Sequence, residues 1–224
     1  MASKTLFITG ASSGIGAATA RAAVAEGWRV GLFARSADKL QALVAELGEA
    51  AIALPGDAGD FDAQSAAIAE FVKRTGGLDA AFANAGTGLS AAGTEVGDPE
   101  EWERMIRLNV LGVLWTTKAA MPHLKARRGH LLLTGSAAGR RHISGSVYGA
   151  SKWFVHGYGG NLSEEMKEFG GRCTVIAPGM VDTPFFDTPK PDKLQAEDVA
   201  RAVLFALTAE PRCTVNEVFL MPTQ

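Results

Sequence analysis

Short apolar runs alternate with longer stretches of helical period along the chain. Leu6 to Gly10, LFITG, is a buried strand that runs straight into glycines. Gly14 to Glu26 is alanine-rich and reads as a helix stopped by Gly27. Arg29 to Ala34 is a second strand, and Ser36 stands where the N-cap of a helix through Leu47 belongs, with Gly48 ending it. The same logic predicts strand over Ala50 to Leu54, helix over Asp60 to Arg74 and strand over Leu78 to Ala83. A long helix is expected from Pro99 to about Arg127, bent at Pro122, followed by strand His130 to Thr134. Helix Tyr148 to Phe169, strand Arg172 to Ala177, helix Glu197 to Leu207 and strand Glu217 to Met221 complete the pattern.

Strands that alternate with helices pair in parallel, because a parallel pair needs a crossover, and continuous apolar runs are those of strands covered on both faces. The expected fold is therefore α/β, a single doubly wound parallel seven-stranded sheet with helices on both faces. No linker, repeat or low-complexity stretch interrupts it, so residues 1–224 are read as one domain.

Composition narrows the function. With 47% hydrophobic and 21% charged residues the chain is globular, and a net charge of −2 gives no surface for nucleic acid or anionic membrane. Lys125, Arg127 and Arg128 are the one basic cluster, placed where cations suit a helix C-terminus. The two cysteines, Cys173 and Cys213, lie far apart with no metal-ligand spacing; reduced thiols are expected, and no metal. The start, MASKTLFITG, lacks the apolar run of a signal peptide, and no segment reaches the ~20 apolar residues of a membrane span. The expected location is the cytoplasm.

In a doubly wound sheet the ligand lies beyond the carboxyl ends of the strands, so the residues after each strand carry the chemistry. After the first come Thr9, Gly10, Ala11, Ser12, Ser13, Gly14, Ile15 and Gly16. Gly10 permits a tight turn, Gly14 lets the backbone approach a pyrophosphate and Gly16 lets helix and strand pack closely. The opening helix offers free N–H groups to an anion. This is the turn of a Rossmann-type dinucleotide site. The second strand ends Ala34-Arg35-Ser36, where a site for NAD would carry an Asp or Glu on the ribose. Arg35 instead suits a 2′-phosphate, with Ser36 and Ser12 as further donors, so NADP(H) is the expected cofactor. Asp57, before Ala58, is a candidate acceptor for the adenine amino group or merely a helix-entry acid. Asn84, Ala85 and Gly86 leave room for a ribose against the backbone.

Tyr148 and Lys152 stand four apart, on one face of a helix. A phenol has a pKa near 10; a nearby ammonium and the positive ring of an oxidised nicotinamide would lower it, fitting Tyr148 to serve as acid or base. Such a pair is also common as surface decoration. Ser136, just past the fifth strand, adds a hydroxyl able to stabilise charge on a substrate oxygen. Asn109 interrupts a helix, either as a kink satisfied by its own side chain or as the seat of a water relaying protons toward Lys152. His123 and His156 have no metal partners and read as structural or exposed.

TGASSGIG, ANAG, the Asn109 segment, Ser136, YGASK and Pro178-Gly179-Met180-Val181-Asp182-Thr183-Pro184 occur in the order found in short-chain dehydrogenases/reductases, and the chain resembles that family from about Lys4 to Pro222. The resemblance implies a catalytic tetrad of Asn109, Ser136, Tyr148 and Lys152. It also implies nicotinamide contacts from Pro178, Gly179, Val181 and Thr183, and a homotetramer or dimer through the helices beginning near Pro99 and Tyr148. Two departures stand out. Ala83 replaces the more usual Asn, and the substrate loop, about 184–196, is short and rich in proline. It should form no long helix, leaving Phe185 and Phe186 as apolar walls of a small open pocket, or packed on the body or a neighbouring subunit. Arg140, Arg141 and His142 lie between Ser136 and Tyr148; an arginine there could bind a substrate carboxylate, and solvated loop charge is the plainer reading. The activity implied is hydride transfer between NADP(H) and a carbonyl or secondary alcohol. A non-catalytic NADP(H) sensor or scaffold is the alternative.

Overall fold

A computed structural model describes residues 3–223. Its centre is a parallel sheet of seven strands in the order β3-β2-β1-β4-β5-β6-β9. These are β1 (Thr5–Thr9), β2 (Arg29–Ala34), β3 (Ala51–Pro55), β4 (Ala80–Ala83), β5 (His130–Thr134), β6 (Arg172–Pro178) and β9 (Glu217–Leu220). Two-residue strands β7 (Val181–Asp182) and β8 (Leu194–Gln195) pair separately. The fold is the Rossmann-type α/β sheet expected from the pattern.

The period of two along β1 builds both layers. Leu6 and Ile8 face one side, into a core shared with α1 (Gly14–Ala25), α2 (Ala37–Leu47) and α7 (Ala196–Thr208). Phe7 faces the other, against α3 (Phe61–Thr75), α5 (Gly112–Arg127) and α6 (Val147–Lys167). Strand order reverses between β1 and β4, which pair with Leu6 opposite Ala80, and a crevice opens past their carboxyl ends.

Most element ends shift by a residue or two, and three of the differences have a visible cause. β4 starts two residues late because Gly77 and Asp79 are taken by Thr5: its hydroxyl donates to the Gly77 carbonyl (2.9 Å) and its N–H to Asp79 Oδ2 (2.9 Å). The 3-10 turn Gly48–Ala50 delays β3 by one residue. The long helix is divided around Asn109, and Pro122, where the sequence predicts a bend, lies inside α5. After α4 (Pro99–Ile106) the residues Arg107–Leu111 form a π turn. Tertiary contacts account for it: Gly112 packs so near the Ala58 carbonyl that a Cβ would lie 2.9 Å from its oxygen, and buried Gln64 donates to both the Ala58 (2.7 Å) and Gly112 (3.0 Å) carbonyls.

The segment between β7 and β8 forms turns and no helix. Cys173 is buried, Cys213 is exposed, and both are free. Among the described residues no helix is long and apolar enough to cross a membrane, and no cluster of acids, histidines and cysteines could hold a metal ion.

Candidate active site

The glycine-rich turn is shaped by close approach. Gly10 has φ +66° and a Cβ there would stand 2.9 Å from Ala85 Cα; Gly14 has φ +51°. A Cβ on Gly16 would fall onto the Gly10 carbonyl oxygen. Asn84 pins the turn to three strands: Nδ2 donates to the Thr9 (3.0 Å) and Gly10 (3.4 Å) carbonyls, and Oδ1 accepts from the Thr134 hydroxyl (3.1 Å). Thr9 Oγ1 accepts from the Asn84 and Ala85 N–H groups, both at 3.0 Å. Ser13 occupies the N-cap of α1 without capping through its side chain, which leaves its hydroxyl and the first-turn N–H groups for a ligand. Thr183 sits beside Gly14, 3.1 Å from where its Cβ would be.

At the end of β2, Arg35 and Ser36 are exposed. Ser36 is the N-cap residue of α2, as expected, but its hydroxyl makes no capping bond. The two acids after β3 divide their work. Asp60 caps α3, accepting from Ala63 N (3.1 Å), whereas Asp57 Oδ1 accepts from Gly59 N (2.8 Å) and lies in the cleft wall.

Ser136 ends the extended backbone after β5 and opens the 3-10 turn Ala137–Arg140, its hydroxyl accepting from Ala138 N (3.1 Å). Tyr148 enters at the first turn of α6, which Ser146 caps by accepting from Gly149 N (2.9 Å). The Ser136 hydroxyl lies close enough to the Tyr148 phenol to favour its ionised form. Burial pushes the Tyr148 phenol above its usual 10, and the nearby Ser136 hydroxyl offsets only part of that. The net direction is upward, whereas the expectation of a lowered phenol counts on an oxidised nicotinamide as well as the ammonium. Lys152 Nζ lies over the ring, 5.7 Å from its centroid, and donates to the Thr134 carbonyl (2.8 Å). Lys152 is itself buried, which brings its pKa from 10.5 down to about 8, so it is mostly charged at pH 7 and loses that charge as pH rises through 8.

Asn109 is buried, with its amide matched to one peptide: Thr87 N donates to Oδ1 and Nδ2 donates to the Thr87 carbonyl, both at 2.9 Å. Neither sequence reading of Asn109 anticipated this clamp. Gly86 keeps the space open, since a Cβ would stand 3.2 Å from Asn109 Oδ1 and 3.8 Å from Lys152 Nζ.

One cleft of about 1150 Å³ is lined by Gly10, Ser12, Ser13, Gly14 and Ile15 together with Phe185 and Phe186. Ala34, Arg35, Ser36, Asp57, Ala58, Asn84, Ala85, Gly86, Ser136, Tyr148, Lys152, Pro178, Gly179, Val181 and Thr183 line it too. Asn109 and Gly16 stand behind the wall. The volume exceeds the range of about 300–1000 Å³ usual for small-ligand sites, as an extended cofactor with a substrate beside it requires. Phe185 lies 5.8 Å from the Tyr148 ring and over Gly88. The three cationic candidates part company: Arg140 is ion-paired with Glu217, His142 stacks on Trp153 (5.5 Å), and Arg141 alone lines the cleft. Sequence reasoning missed Leu89, Ile143 and Met221 in the wall: Leu89 and Ile143 are single apolar residues in loops, and Met221 reads only as the end of the last strand.

A sequence model of the short chain dehydrogenase family matches residues 4–193. The chain belongs to the short-chain dehydrogenase family. An uncharacterized oxidoreductase of Staphylococcus aureus (strain MRSA252) is 37% identical over 225 residues, spanning 98% of this chain and 97% of that protein. An alcohol dehydrogenase from the archaeon Thermococcus sibiricus, complexed with 5-hydroxy-NADP, superposes with TM-score 0.91 at 31% identity, covering 98% and 97% of the two chains. A 3-ketoacyl-(acyl-carrier-protein) reductase from Brucella melitensis, complexed with NADH, gives TM-score 0.90 at 25% identity over 97% and 96%. This short-chain dehydrogenase is thus an oxidoreductase by family. The neighbours differ in both substrate and dinucleotide, so those two properties of this member rest on its own side chains.

Proposed function

We propose that the protein is an NADP(H)-dependent carbonyl reductase or secondary alcohol dehydrogenase in which Tyr148 is the acid and base. The observation that carries the proposal is the meeting of the Ser136 and Tyr148 hydroxyls in the cleft wall, with buried Lys152 one helical turn from Tyr148. Two hydroxyls that meet in this way converge on a single acceptor, as a carbonyl oxygen requires. Tyr148 donates its proton to that oxygen during reduction and takes it back during oxidation; Ser136 bonds the same oxygen. The raised phenol pKa keeps Tyr148 protonated at neutral pH, which suits it to the reducing direction. Lys152 faces the cofactor side, and Asn109 fixes the Thr87 backbone behind it.

The residues fit NADP(H). The glycine cradle has no space for a Cβ at Gly10 or Gly16, the Ser13 and Ser36 hydroxyls are uncapped, and Arg35 stands in the cleft wall with no carboxylate at the end of β2. When bound, the cofactor supplies or accepts the hydride. Asp57 and Ala58 would border the adenine, and Pro178, Gly179, Val181 and Thr183 the nicotinamide. The protein is further read as one cytoplasmic domain that assembles as a homotetramer or dimer.

The test is reduction of aldehydes, ketones and diketones, among them 4-nitrobenzaldehyde and 2,3-butanedione, followed as NADPH loss. Tyr148→Phe should lose turnover by at least about a hundred-fold while binding NADPH as the parent does. Full activity in that variant sinks the mechanism, and tight NADPH binding without turnover on any carbonyl favours a sensor.

A further inference from the structure

A third side chain shares the Tyr148 and Lys152 face of α6. His156 lies one turn beyond Lys152 and is buried. Its ring fits behind Ser136: Nε2 is 3.0 Å from the Ser136 carbonyl oxygen and 3.4 Å from the Ser136 nitrogen. The space comes from two glycines that bracket Ser136 in sequence. A Cβ on Gly135 would stand 2.8 Å from Nε2, and one on Gly139 would stand 2.6 Å from Cδ2.

The other ring nitrogen, Nδ1, is buried with no hydrogen-bond partner among the described residues, and Glu217 Oε1 lies 3.4 Å from it. Glu217, on edge strand β9, is held by Arg140, whose Nε donates to Oε1 (3.1 Å) and whose Nη2 pairs with Oε2. Arg140 closes the 3-10 turn that Ser136 opens. Ring and carboxylate therefore grip that turn at both ends. Burial holds the imidazole below its usual 6.5, so it is neutral at pH 7 and carries one proton. The Ser136 carbonyl at 3.0 Å calls for a proton on Nε2, whereas the Ser136 N–H aimed at Nε2 (3.4 Å) and Glu217 Oε1 beside Nδ1 (3.4 Å) call for one on Nδ1; the shortest contact favours Nε2–H, as a donor to the Ser136 carbonyl.

We infer that His156 is a positioning residue for the reaction: its Nε2–H holds the Ser136 backbone, and through it the Ser136 hydroxyl, in line with Tyr148, while Glu217 and Arg140 fix the far end of the same turn. The inference rests on the roles given above to Ser136 and Tyr148. Packing alone would be served by any ring of this size, whereas positioning needs the donor.

His156→Phe keeps the ring and removes the donor; His156→Gln restores an N–H near the Nε2 position. With the carbonyl that the parent reduces fastest, His156→Phe should lower kcat about ten-fold with the KM for NADPH unchanged, and His156→Gln should recover most of the loss. Parental kcat in His156→Phe, or a glutamine variant no better than phenylalanine, overturns the inference. So does a fall in kcat matched by lost NADPH binding. A readout independent of any substrate is the two-bond proton–nitrogen NMR spectrum of the four imidazoles at pH 7. The signal that vanishes in His156→Gln should show the Nε2–H tautomer, and an Nδ1–H tautomer overturns the assignment. Tyr148→Phe separates the two claims: if it remains active, the acid–base reading fails while the tautomer still tests the Ser136 contact. If it is dead and His156→Phe is parental, only the positioning role fails.

Discussion

Replacing Lys152 with methionine should make the protein more stable at neutral pH, although the lysine belongs to the proposed catalytic group. The ammonium is buried, and desolvation brings its pKa from 10.5 to about 8. Each unit of such a shift corresponds to 1.36 kcal/mol, so the folded state carries a penalty of about 3 kcal/mol for the charged form. The sign follows from proton counts. Between pH 8 and 10.5 the unfolded chain holds a proton that the folded chain has released, so stability rises with pH across that window. Below pH 8 both states are protonated and the full penalty remains. Methionine removes the charge and keeps much of the stem, at the loss of one hydrogen bond to the Thr134 carbonyl, about 1 kcal/mol. The net gain at pH 7 is about 2 kcal/mol, or roughly 4–8 °C in Tm for a chain of this size. Urea unfolding of parent and variant, both free of NADPH, at intervals from pH 6.5 to 10 measures it. The gap should be widest below pH 8 and shrink toward pH 10. A variant less stable than the parent at pH 7, or a gap that ignores pH, refutes the reasoning.

Other substitutions probe separate parts of the cleft. Arg35→Asp puts a like charge where the 2′-phosphate is expected, and the ratio of kcat/KM for NADPH over NADH should fall by about a hundred-fold or more; an unchanged ratio rejects the phosphate clamp. Asn84→Asp faces a carboxylate oxygen toward the Thr9 and Gly10 carbonyls that now accept from Nδ2. It should destabilise by about 3 kcal/mol in chemical unfolding, more than Asn84→Ala, and a reversed order contradicts the assigned amide orientation. Phe185→Ala uncovers the Tyr148 ring and the Gly88 backbone. It should raise kcat/KM for bulky aryl ketones relative to 2,3-butanedione, and an unaltered preference removes Phe185 from the substrate wall.

The strands, the helices and the glycine-rich turn were legible in the sequence because each depends on local period. Leu6 and Ile8 alternate with Phe7 whatever the rest of the chain does, and a strand running into Gly10, Gly14 and Gly16 has few backbone choices. The four-residue spacing of Tyr148 and Lys152 likewise guaranteed a shared helix face. The pKa values were not legible, because they depend on what surrounds the group. The ammonium expected to lower the Tyr148 phenol is itself buried and near half-titration at pH 8, so burial decides the sign for both groups.

Tertiary structure also decided the partners of side chains that one period cannot join. Asn109 read as a kink or a water seat until the fold brought the Thr87 peptide against it, from 22 residues away. The long helix is divided at the π turn around Asn109 because Gly112 and Gln64 meet the Ala58 carbonyl there. Of Arg140, Arg141 and His142, three neighbours with similar claims in sequence, only Arg141 was left lining the cleft once Glu217 and Trp153 had taken the other two. His156, unremarkable on its helix, became the support of Ser136 because two glycines twenty-odd and seventeen residues earlier left room for its ring. Local sequence sets which atoms a segment can present; which of them meet depends on contacts far apart in the chain, and those form only when the sheet and both helical layers close together.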